Sequence, residues 1–274
     1  MATLISSPTT GSHWYSLNGE PVHEVKAAKG GMRATTIADA RKMHLLPSVT
    51  NILGVIAKPQ LETWKLNNVA MAALRTTKTA EESDEYWCRR VVEASKEQVV
   101  EAADLGSRIH EALELATAGE PYADELRAFV EPVLKWKDAE GIEITDREVV
   151  LVNGSEGYAG RCDAVFLKDY PADGERVAGV LDFKTRKTEP GKKVAPYDGQ
   201  GAQLAAYAWA RFPHCWPLVE CVNVYISTTE PGRIEIYRHE DPNAELEYFR
   251  HCAAIWRHLK GYDPRTAVAM EGAS

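Results

Sequence analysis

The feature of this sequence that most limits its fold is a change of hydrophobic period between residues 140 and 147. From about residue 36 to residue 140, apolar residues recur at helical spacing. After that point they alternate in short segments bounded by Gly, Asp, Asn and Pro, which predicts strands. Helices followed by strands with a helix among them favour an α/β protein, with a mixed central β-sheet flanked by helices.

The element order predicted for this sheet is helix, three strands, helix, two strands, helix. The strands are expected at residues 147–152, 158–167, 177–185, 219–227 and 233–239. The helices are expected at residues 123–140, 201–211 and 243–260. The last of these is amphipathic, with Leu246, Phe249, Ala253 and Trp256 on one face.

The chain before this sheet is predicted to be a helical addition to the same core. Residues 1–100 are expected to form a small hairpin, turning at Asn18-Gly19, and a helical region packed on the core. Pro47-Ser48 is expected to begin a helix, because Ser is a good N-cap. Residues 101–264 form the predicted core, and residues 265–274 are expected to be a disordered tail.

Charge and composition exclude several classes of protein. A net charge of −8 argues against a protein that coats DNA indiscriminately, since such binding needs many Lys and Arg contacts to phosphate. The sequence has no apolar run of about 18 residues and no secretory signal pattern, so we expect no membrane contact and a cytoplasmic location. The five cysteines have no spacing suited to zinc or to an iron–sulfur cluster, and reduced thiols are expected.

Two carboxylates and a lysine stand out within the predicted strands. Asp182 and Lys184 are two residues apart, so they share one face of a strand. Asp163 lies among apolar neighbours in the preceding strand, and it converges with Asp182 if the two strands are adjacent and antiparallel. Paired carboxylates suit Mg²⁺ or Mn²⁺. One such ion, or a pair of them, can promote the hydrolysis of a phosphodiester by water. Spacing alone leaves open an ion pair at a strand end, with Asp163 starting a turn.

Two pairs of helical residues extend this pattern. His110 is followed one turn later by Glu114, and Gln203 is followed one turn later by Tyr207. An imidazole accepts Mn²⁺ more readily than Mg²⁺. Taken singly, the histidine is better explained by a structural or solvated role, and the second pair by an ordinary helix surface.

In combination these residues resemble the PD-(D/E)xK nuclease superfamily, and within it the RecB-like nucleases and the related phage and mitochondrial exonucleases. The matching elements, in chain order, are Gly106-x-x-x-His110, Gly160-x-x-Asp163, Asp182-x-Lys184 and Gln203-x-x-x-Tyr207. The resemblance covers about residues 45–240 and implies a restriction-endonuclease-like core. It also implies that no iron–sulfur cluster is held here, because the clustered cysteines of some relatives are missing.

The resemblance implies a role for each matching residue. His110, Asp163 and Asp182 are the implied metal ligands, and Lys184 is the implied catalytic lysine. Gln203 and Tyr207 are implied to support the site and the nucleic-acid strand, and Glu114 is a further candidate for this neighbourhood. Arg186 and Lys187 follow the catalytic strand in a basic loop that attracts phosphate, although a solvated charged loop explains them equally well.

The expected function is therefore that of a Mg²⁺- or Mn²⁺-dependent deoxyribonuclease. We expect a phage-derived exonuclease that trims DNA ends or single strands in DNA recombination and repair, inside a bacterium or a phage-infected host. The sequence carries no helicase signature, so a recombination or single-strand-binding partner would be a separate chain. A ring-shaped oligomer is compatible with the resemblance. Two alternatives stay open: a structure-specific endonuclease, and an inert nuclease-like fold that binds DNA or protein.

Overall fold

The structure is a computed structural model that describes residues 13–169 and 176–266, without the side chains of residues 60 and 97–102. The predicted disordered tail lies outside the described residues from residue 267 onward. The strands are β1 (Trp14–Tyr15), β2 (Glu24–Lys26), β3 (Met32–Ala34), β4 (Leu46–Pro47), β5 (Ile142–Asn153), β6 (Tyr158–Asp169), β7 (Arg176–Arg186), β8 (Val219–Ser227) and β9 (Ile234–Arg238). The α-helices are α1 (Ile37–Met43), α2 (Val49–Ile52), α3 (Pro59–Arg75), α4 (Asp84–Thr117), α5 (Arg127–Ala139), α6 (Gln200–Arg211) and α7 (Pro242–Lys260).

A mixed five-stranded sheet in the order β5-β6-β7-β8-β9 forms the centre of the molecule. Its neighbouring strands are antiparallel except β7 and β8, which are parallel and are connected through α6. A parallel pair needs such a crossover, because both strands run in the same direction and the chain must return to the end of the sheet at which the first strand began. This arrangement confirms the predicted mixed α/β fold with helices on the sheet.

Helices cover both faces of the sheet. On one face, α4 and α5 pack on the strands through a buried cluster that includes Ile109, Leu113, Val130, Phe166, Leu181 and Phe183. On the other face, α6 and α7 pack through Leu204, Phe249 and Trp256, in a cluster that also takes in Trp14 and Leu45 from the N-terminal part. The N-terminal residues therefore share a hydrophobic core with the sheet.

The sheet divides at its centre, where β6 and β7 separate. The two strands pair only through residues 164–169 of β6 and residues 176–181 of β7. Among the strands of this sheet, the first half of β6 pairs with β5 alone, and the second half of β7 pairs with β8 alone. Where the strands part, the Phe183 amide donates to Asp163 Oδ2 at 2.7 Å. We call this place, bounded by Asp163 and Asp182, the fork.

The predicted N-terminal hairpin is only partly present. A turn does form at Asn18-Gly19, since the Gly19 amide donates to the Ser16 carbonyl at 3.0 Å and a bridge joins Tyr15 to Pro21. However, β1 pairs mainly with β4, and β2 pairs with β3. Burial is the reason, because Trp14 lies in the core against Trp256, with 6.1 Å between the ring centroids.

Two other observed boundaries differ from the predicted ones, because the local pattern continues past the predicted position. Strand β5 begins at Ile142, five residues before the predicted start, since Ile142 and Ile144 extend the alternation inward. Helix α4 runs without interruption through residue 100, where the sequence had suggested a boundary. Ser48 caps α2 as predicted, accepting from the Asn51 amide at 3.0 Å.

Two further properties concern the whole of the described chain. Within residues 13–169 and 176–266, no helix combines the length and the apolar character that crossing a bilayer requires. The five cysteines are free thiols, and Cys162, Cys221 and Cys252 are buried.

Candidate metal centre

Side chains from five elements meet at the fork. Helix α4 contributes one residue, each of β5 and β6 contributes one, and β7 and α6 contribute two each. In chain order they are His110, Glu148, Asp163, Asp182, Lys184, Gln203 and Tyr207. All the catalytic and metal-ligand candidates predicted from the sequence are thus in one neighbourhood, together with Glu148, which was not predicted.

Three of these residues present a compact set of metal-ligand atoms. One ligand atom from each of His110, Glu148 and Asp163 lies within 4.8 Å of the other two. The Nδ1 atom of His110 is 3.6 Å from Asp163 Oδ2. Glu148 is opposite Asp163, because the flanking pairs are Arg147 with Ala164 and Val149 with Cys162. One nitrogen and two carboxylate oxygens suit a borderline-hard divalent cation such as Mn²⁺.

The backbone at Glu148 is bent out of the ordinary strand conformation. Its φ angle is 44°, in the left-handed region that costs a non-glycine residue roughly 1–2 kcal/mol. Such conformations persist where the surrounding structure holds them, and they concentrate at functional sites. The side chain is less than one-quarter exposed and forms an ion pair with Arg161, whose Nε is 2.8 Å from Oε2.

Crowding of carboxylates perturbs the acidity of this group. Burial, followed by the charge of Asp163, raises the pKa of Glu148 to about 7, although Arg161 opposes the shift. Burial, followed by the charge of Asp182, raises the pKa of Asp163 to about 6, although His110 and Lys184 oppose the shift. Negative charge is therefore in excess at the fork, and a bound cation would relieve it.

Asp182 lies beside this group of three, with its oxygens bonded to other partners. Lys184 Nζ donates to Oδ1 at 2.6 Å, and Asn223 Nδ2 donates to Oδ2 at 2.8 Å. Burial acts to lower the pKa of Lys184, but the charges of Asp182 and Asp163 outweigh burial and raise it. Lys184 is therefore a permanently charged donor at neutral pH.

Helix α6 closes the fork on the Asp182 side. Gln203 Nε2 is 3.4 Å both from Asp182 Oδ1 and from the Tyr207 hydroxyl, so these are long contacts. The Tyr207 ring lies over Gly160, where an added Cβ would be 2.8 Å from Cε1 of the ring. On α4, a Cβ at Gly106 would be 2.9 Å from Thr185 Oγ1. The two glycines noted in the sequence therefore allow a helix and a ring to approach the strands closely.

The remaining predicted residues lie around this centre. Glu114 is exposed on α4 and contributes to raising the pKa of Glu148. Arg186 donates to the Ala195 carbonyl at 2.6 Å and stacks on Tyr197, with 4.1 Å from its guanidinium carbon to the ring centroid. The Arg186 side chain thus braces the loop after β7, whereas Lys187 is exposed.

Two residues of the site were missed by reasoning from the sequence. In the sequence, Glu148 has the pattern of an ordinary residue in an alternating strand, and no local motif predicts its positive φ. Asn223 carried a usable signal, because it interrupts the apolar run Val222-Asn223-Val224 in a strand that the pattern predicts to be buried. A buried amide needs hydrogen-bonding partners, and here one of them is Asp182.

Comparisons with known proteins do not identify a family. No protein-family model matches the chain, and no curated protein matches it. Among solved structures, a crystal structure of SSO0001 is 20% identical, with 75% of this chain and 89% of that chain covered and a TM-score of 0.33. A likeness this weak carries neither fold nor function across to this chain.

Proposed function

We propose that this protein is a metal-dependent DNA exonuclease that hydrolyses phosphodiester bonds. One observation carries the proposal: His110, Glu148 and Asp163 present ligand atoms within 4.8 Å of one another, beside the Asp182–Lys184 ion pair. Carboxylates crowded in this way cost stability unless they bind a cation or take up protons. A site that combines such a group with a charged lysine is suited to stabilising negative charge on phosphate.

The residues of the fork would have different roles in the reaction. His110, Glu148 and Asp163 would hold Mg²⁺ or Mn²⁺, and Asp182 would be the further metal ligand that the resemblance implies. The cation would polarise the phosphoryl oxygen and lower the pKa of a bound water. Lys184 would donate hydrogen bonds to the attacking water or to the phosphoryl oxygens, because its raised pKa keeps it charged. Gln203 would orient the Asp182 carboxylate from α6.

The choice of an exonuclease and of DNA rests on the resemblance to the RecB-like and phage-type exonucleases. A net charge of −8 fits an enzyme that contacts a short length of strand. Exposed Lys187, next to the end of β7, is available to a phosphate of that strand. A recombination or single-strand-binding protein would be a separate partner, and the activity would belong to recombination or repair, in a bacterium or a phage-infected host.

The proposal is tested with end-labelled linear DNA and closed circular DNA in Mg²⁺, in Mn²⁺ and in a chelator. We expect metal-dependent release of nucleotides from the linear substrate and little cutting of the circle. Asp163→Asn and Asp182→Asn should abolish release, whereas Asp138→Asn, at an exposed aspartate of α5, should not.

Two results would contradict the proposal in different ways. Equal cutting of the closed circle would show an endonuclease. A wild-type protein that binds DNA but shows only the trace cleavage of the Asp163 and Asp182 variants would be a binding protein with a nuclease-like site.

A further inference from the structure

A row of polar side chains, buried as far as His239 and half-buried at Glu245, leads from Asp182 away from the fork to α7. Asn223 is the neighbour of Asp182 on β8, is fully buried and donates from Nδ2 to Asp182 Oδ2 at 2.8 Å. On its other side, Asn223 Oδ1 is 2.9 Å from His239 Nε2. His239 Nδ1 is in turn 3.8 Å from Glu245 Oε1.

The chemistry of these groups determines the direction of the hydrogen bonds. A carboxylate only accepts, so the NH₂ group of Asn223 must face Asp182. The amide oxygen then faces His239, and an oxygen cannot donate. His239 must therefore carry its proton on Nε2, in both the neutral and the charged form of the ring. The hydrogen bond to Asn223 is consequently kept whichever of these forms His239 adopts.

The far end of the row is held by the contact between α6 and α7. A Cβ at Gly201 would lie 2.3 Å from Glu245 Cδ, so the absence of a side chain at Gly201 lets the carboxylate lie against the first turn of α6. A carboxylate is favoured at a helix N-terminus by the helix dipole. Glu245 thereby connects His239 to the helix that carries Gln203 and Tyr207.

We infer that Asn223 is a positioning residue for Asp182, and that His239 holds the Asn223 amide in place from its other side. Asn223 holds Asp182 Oδ2, which leaves Oδ1 directed at Lys184. The inference rests on the proposed function, in which Asp182 serves a metal centre. Removing the Nε2–H donor of His239 leaves the buried Asn223 oxygen without its donor, so the amide is held from the Asp182 side only and positions that carboxylate less tightly.

The expected effect is a loss of metal affinity. Residues that orient metal-site ligands from behind typically contribute 10–100-fold to affinity or activity. We expect His239→Leu and Asn223→Leu to weaken Mn²⁺ binding by about 10–100-fold. His239→Gln should stay close to wild type, because its side-chain amide supplies the same donor.

The experiment uses the full chain and has three readouts. Mn²⁺ affinity is measured by electron paramagnetic resonance, folding by thermal unfolding in a chelator, and the His239 tautomer by nitrogen-15 spectra of the metal-free protein. His251→Leu, at an exposed histidine of α7, is the matched control. Rescue by His239→Gln, together with an Nε2-protonated ring, supports the inference even if Asn223→Leu fails to fold.

The contrary results are distinguishable. Equal Mn²⁺ affinity in wild type and in folded His239→Leu would overturn the inference while leaving the proposed function standing. An Nδ1-protonated neutral ring at His239 would also overturn it. A wild-type chain that binds no Mn²⁺ would contradict the proposed function itself, and the positioning role would fall with it.

Discussion

Lys184 and Glu148 are charged residues of one site whose surroundings act on them in opposite senses. Neighbouring carboxylates raise the pKa of Lys184 and so keep its positive charge. Burial and a neighbouring carboxylate raise the pKa of Glu148 and so oppose its negative charge. The same crowding of anions therefore favours a charged lysine and a partly protonated glutamate near neutral pH.

Lys184→Ala separates metal binding from catalysis. Since Lys184 acts on the reacting phosphate in the proposed mechanism, we expect kcat to fall by about 100-fold or more. Mn²⁺ affinity should change far less, because an ammonium group does not ligate a metal. Lys135→Ala, at an exposed lysine of α5, should leave both quantities unchanged. A kcat within threefold of wild type in Lys184→Ala would remove this residue from the catalytic machinery.

Glu148→Gln is expected to stabilise the metal-free protein at high pH. The folded-state pKa of Glu148, about 7, lies above its ordinary value of 4.5, so the folded state binds this proton more tightly than the unfolded state. The stability that results is present below about pH 4.5 and is lost as the pH rises to about 7. At pH 8 the variant should have a free energy of unfolding about 1–2 kcal/mol higher than wild type, and at pH 4 a nearly equal one.

Urea unfolding in a chelator at pH 4 and pH 8 measures this difference. Glu131→Gln, at a surface glutamate of α5, is the control and should show no such dependence on pH. The same Glu148→Gln protein should bind Mn²⁺ more weakly than wild type. A variant that is less stable than wild type at pH 8 would refute the account of crowded carboxylates.

At the scale of elements, the separation of β6 from β7 creates the site. Beyond the point of separation, the backbone groups of these two strands no longer bond to each other, so side chains can bond to them instead. The hydrogen bond from the Phe183 amide to Asp163 is an example. Helix α4 enters from one side and α6 from the other. Both helices approach the strands closely only because glycine occupies positions where a methyl group would clash with a neighbouring side chain. Gly160 is one of these positions.

Gly160→Ala is expected to destabilise the fork. The new Cβ would lie 2.8 Å from the buried ring of Tyr207, so ring or strand must shift, at a cost of about 1–3 kcal/mol. Gly54→Ala is the matched control, because nothing lies within 4 Å of its Cβ. Thermal unfolding should show a clear loss for the first variant and a change below about 1 kcal/mol for the second. Similar melting temperatures would mean that Tyr207 moves away freely.

At the scale of the whole molecule, the proposed metal site would couple folding to the binding of a cation at the fork. The proposed ligands come from α4, β5 and β6, which are brought together only when the sheet and its helices assemble. A cation that binds the folded state alone shifts the folding equilibrium by mass action.

Mn²⁺ should therefore raise the melting temperature. At a concentration about 100 times the dissociation constant, the stabilisation is about 2.7 kcal/mol. Differential scanning calorimetry at pH 8 measures it, and Asp163→Asn should lose most of the effect. An equal shift in wild type and in this variant would place the bound ion elsewhere on the protein.

Features that depend on local pattern could be predicted from the order of residues alone. Alternation predicted β6 to β9 to within two residues at each end, and helical spacing did the same for α6 and α7. The two-residue spacing of Asp182 and Lys184 put both on one side of β7, where they form an ion pair. These outcomes follow from the geometry of single strands and helices, which residue order alone encodes.

Tertiary structure alone decided how these parts meet. The pairing of β1 with β4 depends on the burial of Trp14, and the entry of Glu148 into the site depends on a backbone bend that no local motif marks. Asn223 acquires its role only because β8 lies parallel to β7 with this residue beside Asp182. Strand partners and points of separation are set by contacts between residues far apart in the chain, so a periodic pattern does not contain them.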